Sequence, residues 1–377
     1  MTEEHHSSTH PLLPPTTEDA RFGWLRLLRS RRVGVSTFYR LMGEYGDADA
    51  ALAALPEVAA KAGVKDYAIC PEAVVQAELR DAARAGAKLV CRGSPDYPPT
   101  LAELPDAPPV FWVVGQLGVL QKPTIALVGA RNASSLGTRM ARALAGELSE
   151  AGYVVVSGMA RGVDTAAHMA ALKHGTIAVL GGGVDVLYPA ENTKLASDIV
   201  EKGGARISEQ PMGLQPQARH FPTRNRIISG MCQAVVVVEA AARSGSLITA
   251  RNALDQGREV MAVPGHPMDA RASGCNMLLR DGARLVRNAD DVIEGLQPIA
   301  AAAPELPLDP PATPKPLPEI AKLHKQILDR LGPSPLGEDQ LIRDLGAPTR
   351  QVSPVLTDLE LSGQIRRQPG GLIARAS

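Results

Sequence analysis

Between Ile125 and Val286 the chain repeats one pattern: a short run rich in Val and Ile, a turn bearing Gly, Ser or Glu, then an amphipathic stretch of helix length. The runs fall at Ile125–Val128, Tyr153–Val156, Thr176–Leu180, Ala205–Ser208, Ala234–Val238, Glu259–Val263 and Arg284–Val286. Strands that are apolar throughout are buried on both faces, and a parallel crossover needs a helix-sized connection. The alternation therefore predicts an α/β fold, a doubly wound, Rossmann-like parallel sheet. Two earlier runs, Lys88–Cys91 and Val110–Val114, flank a Pro-rich loop and read as further strands.

The core is expected over residues 86–296, and its flanks differ in kind. Residues 1–20 are polar, with His5, His6, His10 and several prolines, and predict a disordered tail. Residues 21–85 read as short helices, with Leu25 and Leu28, then Phe38, Leu41 and Met42, at helical spacing. The Gly34 turn makes this small helical domain similar to helix-hairpin-helix and sterile-alpha-motif modules, whose turn amides can meet a phosphate, and a packing or partner-binding domain fits it equally. Residues 297–318 hold eight prolines and read as a semi-rigid linker. Residues 319–377 spell three helices and a hairpin turning at Gly370-Gly371, a winged-helix pattern. Its recognition helix offers Arg350 but also Asp358 and Glu360, which suits protein contact at least as well as duplex reading.

Composition narrows the partners. No apolar run reaches the about 18 residues a membrane span needs, and the opening residues lack a basic-then-apolar leader, so a cytoplasmic protein without membrane contact is expected. Cys70, Cys91, Cys232 and Cys275 form no CxxC pair, so neither a zinc site nor a disulfide framework is suggested. With 40 basic and 40 acidic residues the net charge is +0, so any affinity for nucleic acid must be local. Two basic clusters stand out. Arg21, Arg26, Arg29, Arg31, Arg32 and Arg40 precede the next acid at Glu44, and Arg219, His220, Arg224 and Arg226 lie within one short stretch.

Three strand-to-helix turns carry anion-binding chemistry: Gly129-Ala-Arg131-Asn-Ala-Ser134, Ser157-Gly-Met-Ala-Arg161-Gly-Val-Asp164 and Arg243-Ser244-Gly245-Ser246-Leu-Ile-Thr249. Amides at a helix N-terminus favour an anion, and in open α/β sheets such turns gather at the carboxyl ends of the strands. Beside them, His220-Phe221-Pro-Thr-Arg224-Asn225-Arg226 sets a ring among cations, which suits base stacking next to phosphates. The same residues fit a folded interior, with Arg224 and Arg226 paired to Glu209 or Glu239 and Phe221 in the core. Three anion-type turns alongside favour binding. Dinucleotide binding is not expected, because the first turn is not GxGxxG and Ser157 stands where a ribose-binding acid would. No GxxxxGK[ST] occurs. Asp164 and His168, four apart, read as a capping acid and a structural histidine. Glu209 and Glu239, ending strands read as neighbours, serve as counter-ions as readily as a catalytic pair. No catalytic residue, metal or cofactor is predicted.

These motifs, with Gly181-Gly-Gly-Val-Asp185-Val-Leu-Tyr188-Pro189 and Val263-Pro-Gly265, resemble the DNA-processing protein A (DprA/Smf) family across residues 86–296. The resemblance implies an extended Rossmann domain that dimerises, binds single-stranded DNA without sequence preference and helps load RecA recombinase, with no established enzymatic activity. Carried over by position, it implies a DNA site at Gly129, Arg131, Ser134, Arg161, Phe221, Arg224, Asn225, Arg226, Ser244, Gly245, Ser246 and Thr249. The alternative is a nucleotide phosphoribohydrolase, whose GGxGTxxE turn ends on a working glutamate. Here Thr249 takes that position.

Overall fold

The structure is a computed structural model that describes residues 14–297, 317–332 and 334–376. The expected tail over residues 1–13 and all but the ends of the expected linker lie outside the described residues. The chain divides into two compact units, Met1–Ala300 and Ala301–Ser377.

The first unit opens with helices α1 (Glu18–Arg29), α2 (Val35–Tyr45), α3 (Ala48–Lys61) and α4 (Glu72–Arg84). Helix α1 begins inside the expected tail because Thr17 caps it, accepting a hydrogen bond from the Ala20 amide at 3.1 Å. The chain continues through strand β1 (Lys88–Cys91), the single turn α5 (Pro99–Ala102) and β2 (Val110–Gly115). The alternation follows as β3 (Thr124–Val128), α6 (Ser135–Glu150), β4 (Val154–Ser157), α7 (Val163–Ala171), β5 (Thr176–Val179), α8 (Thr193–Glu201) and β6 (Ala205–Ser208). It ends with α9 (His220–Gly230), β7 (Ala234–Val237), α10 (Ser246–Asp255), β8 (Glu259–Ala262), α11 (Ser273–Arg280), β9 (Arg284–Leu285) and α12 (Ala289–Leu296).

The nine strands form one sheet in the order β1-β2-β6-β5-β4-β3-β7-β8-β9. Strands β3 to β9 pair in parallel, while β1 and β2 add an antiparallel edge onto β6. Alternate side chains supply two cores. Ala126, Val128, Val235 and Val237 face one side, and Ile125, Leu127, Ala234 and Val236 face the other, beneath α6, α7 and α12. After β6 the chain crosses back to lay β7 against β3, so the sheet reverses its winding between them. A crevice opens at such a switch point, at the carboxyl ends of the strands. The same order corrects an expectation from sequence. Glu209 follows β6 and Glu239 follows β7, with β5, β4 and β3 between, so the two carboxylates do not sit on neighbouring strands and form no pair.

The helical segment shares a core with the sheet. Trp24, Leu25, Phe38, Leu41 and Val75 pack in one cluster with Val110, Trp112 and Val114 of β2. The basic cluster expected there is largely neutralised: Arg21 pairs with Glu18, Arg26 with Glu72, Arg29 with Glu78 and Arg40 with Glu44. Two of these acids come from α4, far along the chain, which local sequence does not show. Arg31 and Arg32 stay exposed.

The second unit holds α13 (Leu317–Arg330), β10 (Leu336–Gly337), α14 (Glu338–Leu345), α15 (Thr349–Leu361), β11 (Ile365–Gln368) and β12 (Leu372–Arg375), with the strands ordered β10-β12-β11. Ile327, Leu341, Val352, Leu356, Leu359 and Ile373 form its core, the winged-helix arrangement that the spacing predicts. Arg367 of β11 takes up Glu338 at 2.7 Å and Glu360 at 3.0 Å, so the α15 acid Glu360 is used within the unit. No helix among the described residues is long and apolar enough to cross a membrane.

Candidate nucleic-acid interface

A cleft of about 880 Å³ opens at the switch point. The turn after β3 gives it Gly129, Arg131 and Asn132, the turn after β7 gives Arg243 to Ser246, and α9 gives Phe221, Arg224 and Asn225. Thr249, only 2% exposed, closes one side. A smaller cavity of about 350 Å³ continues it past Tyr188 and Phe221 to Arg161. Nine of the twelve expected residues therefore line the main cleft. Ser134, Arg161 and Arg226 do not.

The exceptions have physical reasons. Arg226 pairs with Glu209 and donates to the Asp106 carbonyl at 2.7 Å, pinning α9 to the antiparallel edge of the sheet. Arg161 lies outside the main cleft and pairs with Glu191. Ser134 caps α6, accepting from the Gly137 amide at 2.9 Å, and faces a neighbouring cavity instead.

The turns divide in a way that the sequence did not reveal. At α6 the chain supplies its own anion, because Glu239 accepts from the Ser134 amide at 3.0 Å and from the Ser134 hydroxyl. At α7, Asp164 accepts from the amides of Gly158 at 3.1 Å and Ala160 at 3.2 Å. Only at α10 do the turn residues carry no carboxylate: the Ser244 and Ser246 hydroxyls meet each other at 2.7 Å. Of the three turns expected to take an external anion, one is free of a carboxylate, and there the Ser246 amide turns to the Ser244 hydroxyl at 3.3 Å.

Around that turn the charges also separate. Arg224 is 5% exposed, donates to the Val179 carbonyl and faces Asp164, and its burial lowers its pKa to about 10. It forms the floor of the cleft rather than its rim. Arg271 pairs with Asp269 at 3.1 Å, whereas Arg131 and Arg243 are exposed and have no carboxylate partner among the described residues. The Arg131 guanidinium lies 5.3 Å from the centre of the Phe221 ring. Phe221 is half-buried, so it is a wall of the cleft and not core. Tyr188, 52% exposed, stands 5.8 Å from it, ring centre to ring centre. The site list drawn from sequence omitted Tyr188, Arg243 and Arg271. The Tyr188-Pro189 and Arg243 motifs were visible, but nothing local showed that they face Phe221 and Arg131.

Asp164 and His168 are not an acid–base pair. His168 is fully buried, and its Nδ1 meets the Thr176 hydroxyl at 2.9 Å. Since that hydroxyl donates to the Val155 carbonyl, Nδ1 carries the proton. Burial, with Arg224 adding to it, pushes the His168 pKa down from 6.5 to about 3. The unfolded chain therefore takes up a proton near pH 6.5 that the native state refuses until about pH 3. The stability that neutral His168 contributes is complete above pH 6.5 and falls below it by about 1.4 kcal/mol per pH unit, or about 2 kcal/mol by about pH 5. His168→Gln removes this slope. Urea unfolding of both proteins at about pH 7.5 and about pH 5 measures it, and parallel losses in the two would refute the assignment.

Comparison with known proteins agrees with this architecture. Residues 88–297 match the family described as DNA recombination-mediator protein A. Residues 18–81 match the DprA-like N-terminal HHH domain and residues 310–371 the DprA winged helix domain. The chain is 39% identical over 287 residues to Protein Smf of Escherichia coli, covering 76% of each chain. It is 46% identical over 199 residues to the DNA processing protein DprA of Streptococcus pneumoniae, covering 52% of this chain and 70% of that one. Among solved structures, DNA processing protein A from Streptococcus pneumoniae superposes with a TM-score of 0.57 at 34% identity, covering 70% of this chain and 98% of that one. DNA processing protein A from Helicobacter pylori, whose structure is described for its single-stranded DNA binding mode, gives 0.51 at 29% identity, covering 56% and 95%. With a family match over more than half its length, this chain belongs to the DNA recombination-mediator protein A family.

Proposed function

We propose that the cleft binds single-stranded DNA without sequence preference. One observation carries the reading: the carboxylate-free turn of α10 lies in the same cleft as two arginines without a carboxylate partner among the described residues and a Phe221–Tyr188 aromatic pair. The Ser244 and Ser246 hydroxyls at α10 take a phosphate, Arg131 and Arg243 take its neighbours, and the rings stack bases regardless of identity. A duplex would not fit this use, since its bases are already stacked on each other. Among the described residues Asp164 is the only acid lining the main cleft, and backbone amides hold it, which supports a binding role without catalysis.

We further propose a cytoplasmic role in which this protein, as a homodimer, protects incoming single strands and loads RecA recombinase onto them; the family description as a recombination mediator supports the recombination part of that role. The test is fluorescence anisotropy of labelled oligo-dT over a salt series. Wild type binds with an affinity that falls as salt rises, and Phe221→Ala weakens binding by about five- to a hundred-fold, the stacking of one base. Salt-independent binding, or a Phe221→Ala variant as tight as wild type, would overturn the reading.

A further inference from the structure

We infer that Glu239 is a specificity-determining residue beside the cleft: with Ser134 and Gly137 it lines the neighbouring cavity, where its carboxylate occupies the anion position at the α6 N-terminus and so closes that position to free nucleotides and pyrophosphate. In a sheet wound this way, the turn after the first central strand is where a phosphate group settles, on the amides of the helix that follows. Helix α6, at 16 residues, has the length to make its N-terminus attractive to anions. Glu239 reaches it from the neighbouring strand and is 8% exposed.

Several contacts fix it there. Its Oε1 meets the Ser134 amide at 3.0 Å, its Oε2 receives the Ser134 hydroxyl, and its own carbonyl receives the Ala130 amide at 2.7 Å. Residue 137 must be small for this to happen, since a Cβ on Gly137 would stand 2.5 Å from Oε2. A phosphate arriving at this turn meets a fixed negative charge where a nucleotide-binding relative of the fold would offer free amides. The α10 turn, with its two serine hydroxyls, has no such plug. A DNA strand needs only one such position, because further phosphates along it reach Arg131 and Arg243. The arrangement removes one position at which small nucleotides would otherwise settle.

This use rests on the single-strand reading, but its test does not. The full-length chain is titrated calorimetrically with inorganic pyrophosphate in metal-free buffer, with thermal melts to establish folding. Glu239→Ala vacates the position and is expected to bind pyrophosphate at least about ten-fold more tightly than wild type. Glu239→Gln keeps the volume and removes the charge. It is expected to gain about three- to five-fold, the worth of one like charge about 4 Å from the ligand in water. Glu239→Gln binding pyrophosphate no better than wild type overturns the inference, whether or not the alanine variant folds. A parallel oligo-dT titration separates the two ideas: wild type that ignores oligo-dT, with the pyrophosphate gain intact, sinks the strand reading alone.

Discussion

Replacing Arg131 and Arg243 together by alanine is expected to weaken oligo-dT binding by about a hundred-fold at about 0.1 M salt without disturbing the fold. Each guanidinium is exposed on the rim, and a hydrogen bond to a charged group is worth about 1.5–3 kcal/mol, so one order of magnitude per arginine is a modest expectation. The salt dependence supplies a second readout. Each phosphate neutralised on a single strand contributes a slope of about −0.7, so losing two contacts makes the logarithmic slope shallower by about 1.4. Arg224 is the wrong residue for this experiment, although it lines the same cleft. Its removal leaves Asp164 buried without its counter-charge, so lost binding and lost structure would coincide. If the rim variant keeps both the affinity and the slope of wild type, the strand lies elsewhere, at the exposed Arg31 and Arg32 or on the C-terminal unit.

The strands of the first unit were legible because each is a short apolar run buried on both faces, and that burial writes itself directly into composition. Neither strand order nor the facing of α9 was legible, and one error follows from each. Glu209 and Glu239 looked like neighbours because only one helix separates β6 from β7 in the chain, yet three strands separate them in the sheet. Arg226 looked like a cleft residue because Arg224 is one. Two residues along a helix point about 200° apart, so Arg224 enters the floor while Arg226 turns towards Glu209. Two of the three helix N-termini read as anion-binding hold the chain's own carboxylates, because sequence does not say which anion fills such a turn. Glu239 lies 105 residues from Ser134, and no periodicity links the two. Tyr188 is the converse case, an exposed ring in a recognisable motif whose partner, Phe221, lies on an element beyond β6.

The helical segment read as a separable module, and the sharpest test of that view is Glu78. This α4 carboxylate is 7% exposed, accepts twice from Arg29 of α1 at 2.8 Å, and accepts from the Trp112 indole of β2 at 2.8 Å. It therefore ties two helices to the edge of the sheet at one buried point. Glu78→Ala leaves the Arg29 charge and the Trp112 N–H without partners, a loss of about 3–5 kcal/mol. Glu78→Gln, which keeps an acceptor for one of them, costs about 1–2 kcal/mol. Urea unfolding followed by tryptophan emission reads this region selectively, because the chain's 2 tryptophans, Trp24 and Trp112, both sit in that core. With a slope of about 3 kcal/mol per molar urea, the alanine midpoint falls by about 1 M or more. An unchanged midpoint would mean that the helices and the sheet hold together without the pair. Because the cleft lies at the other end of the β6–β3 span, oligo-dT affinity below the unfolding transition is expected to match wild type, which separates an anchoring role for Glu78 from a part in binding.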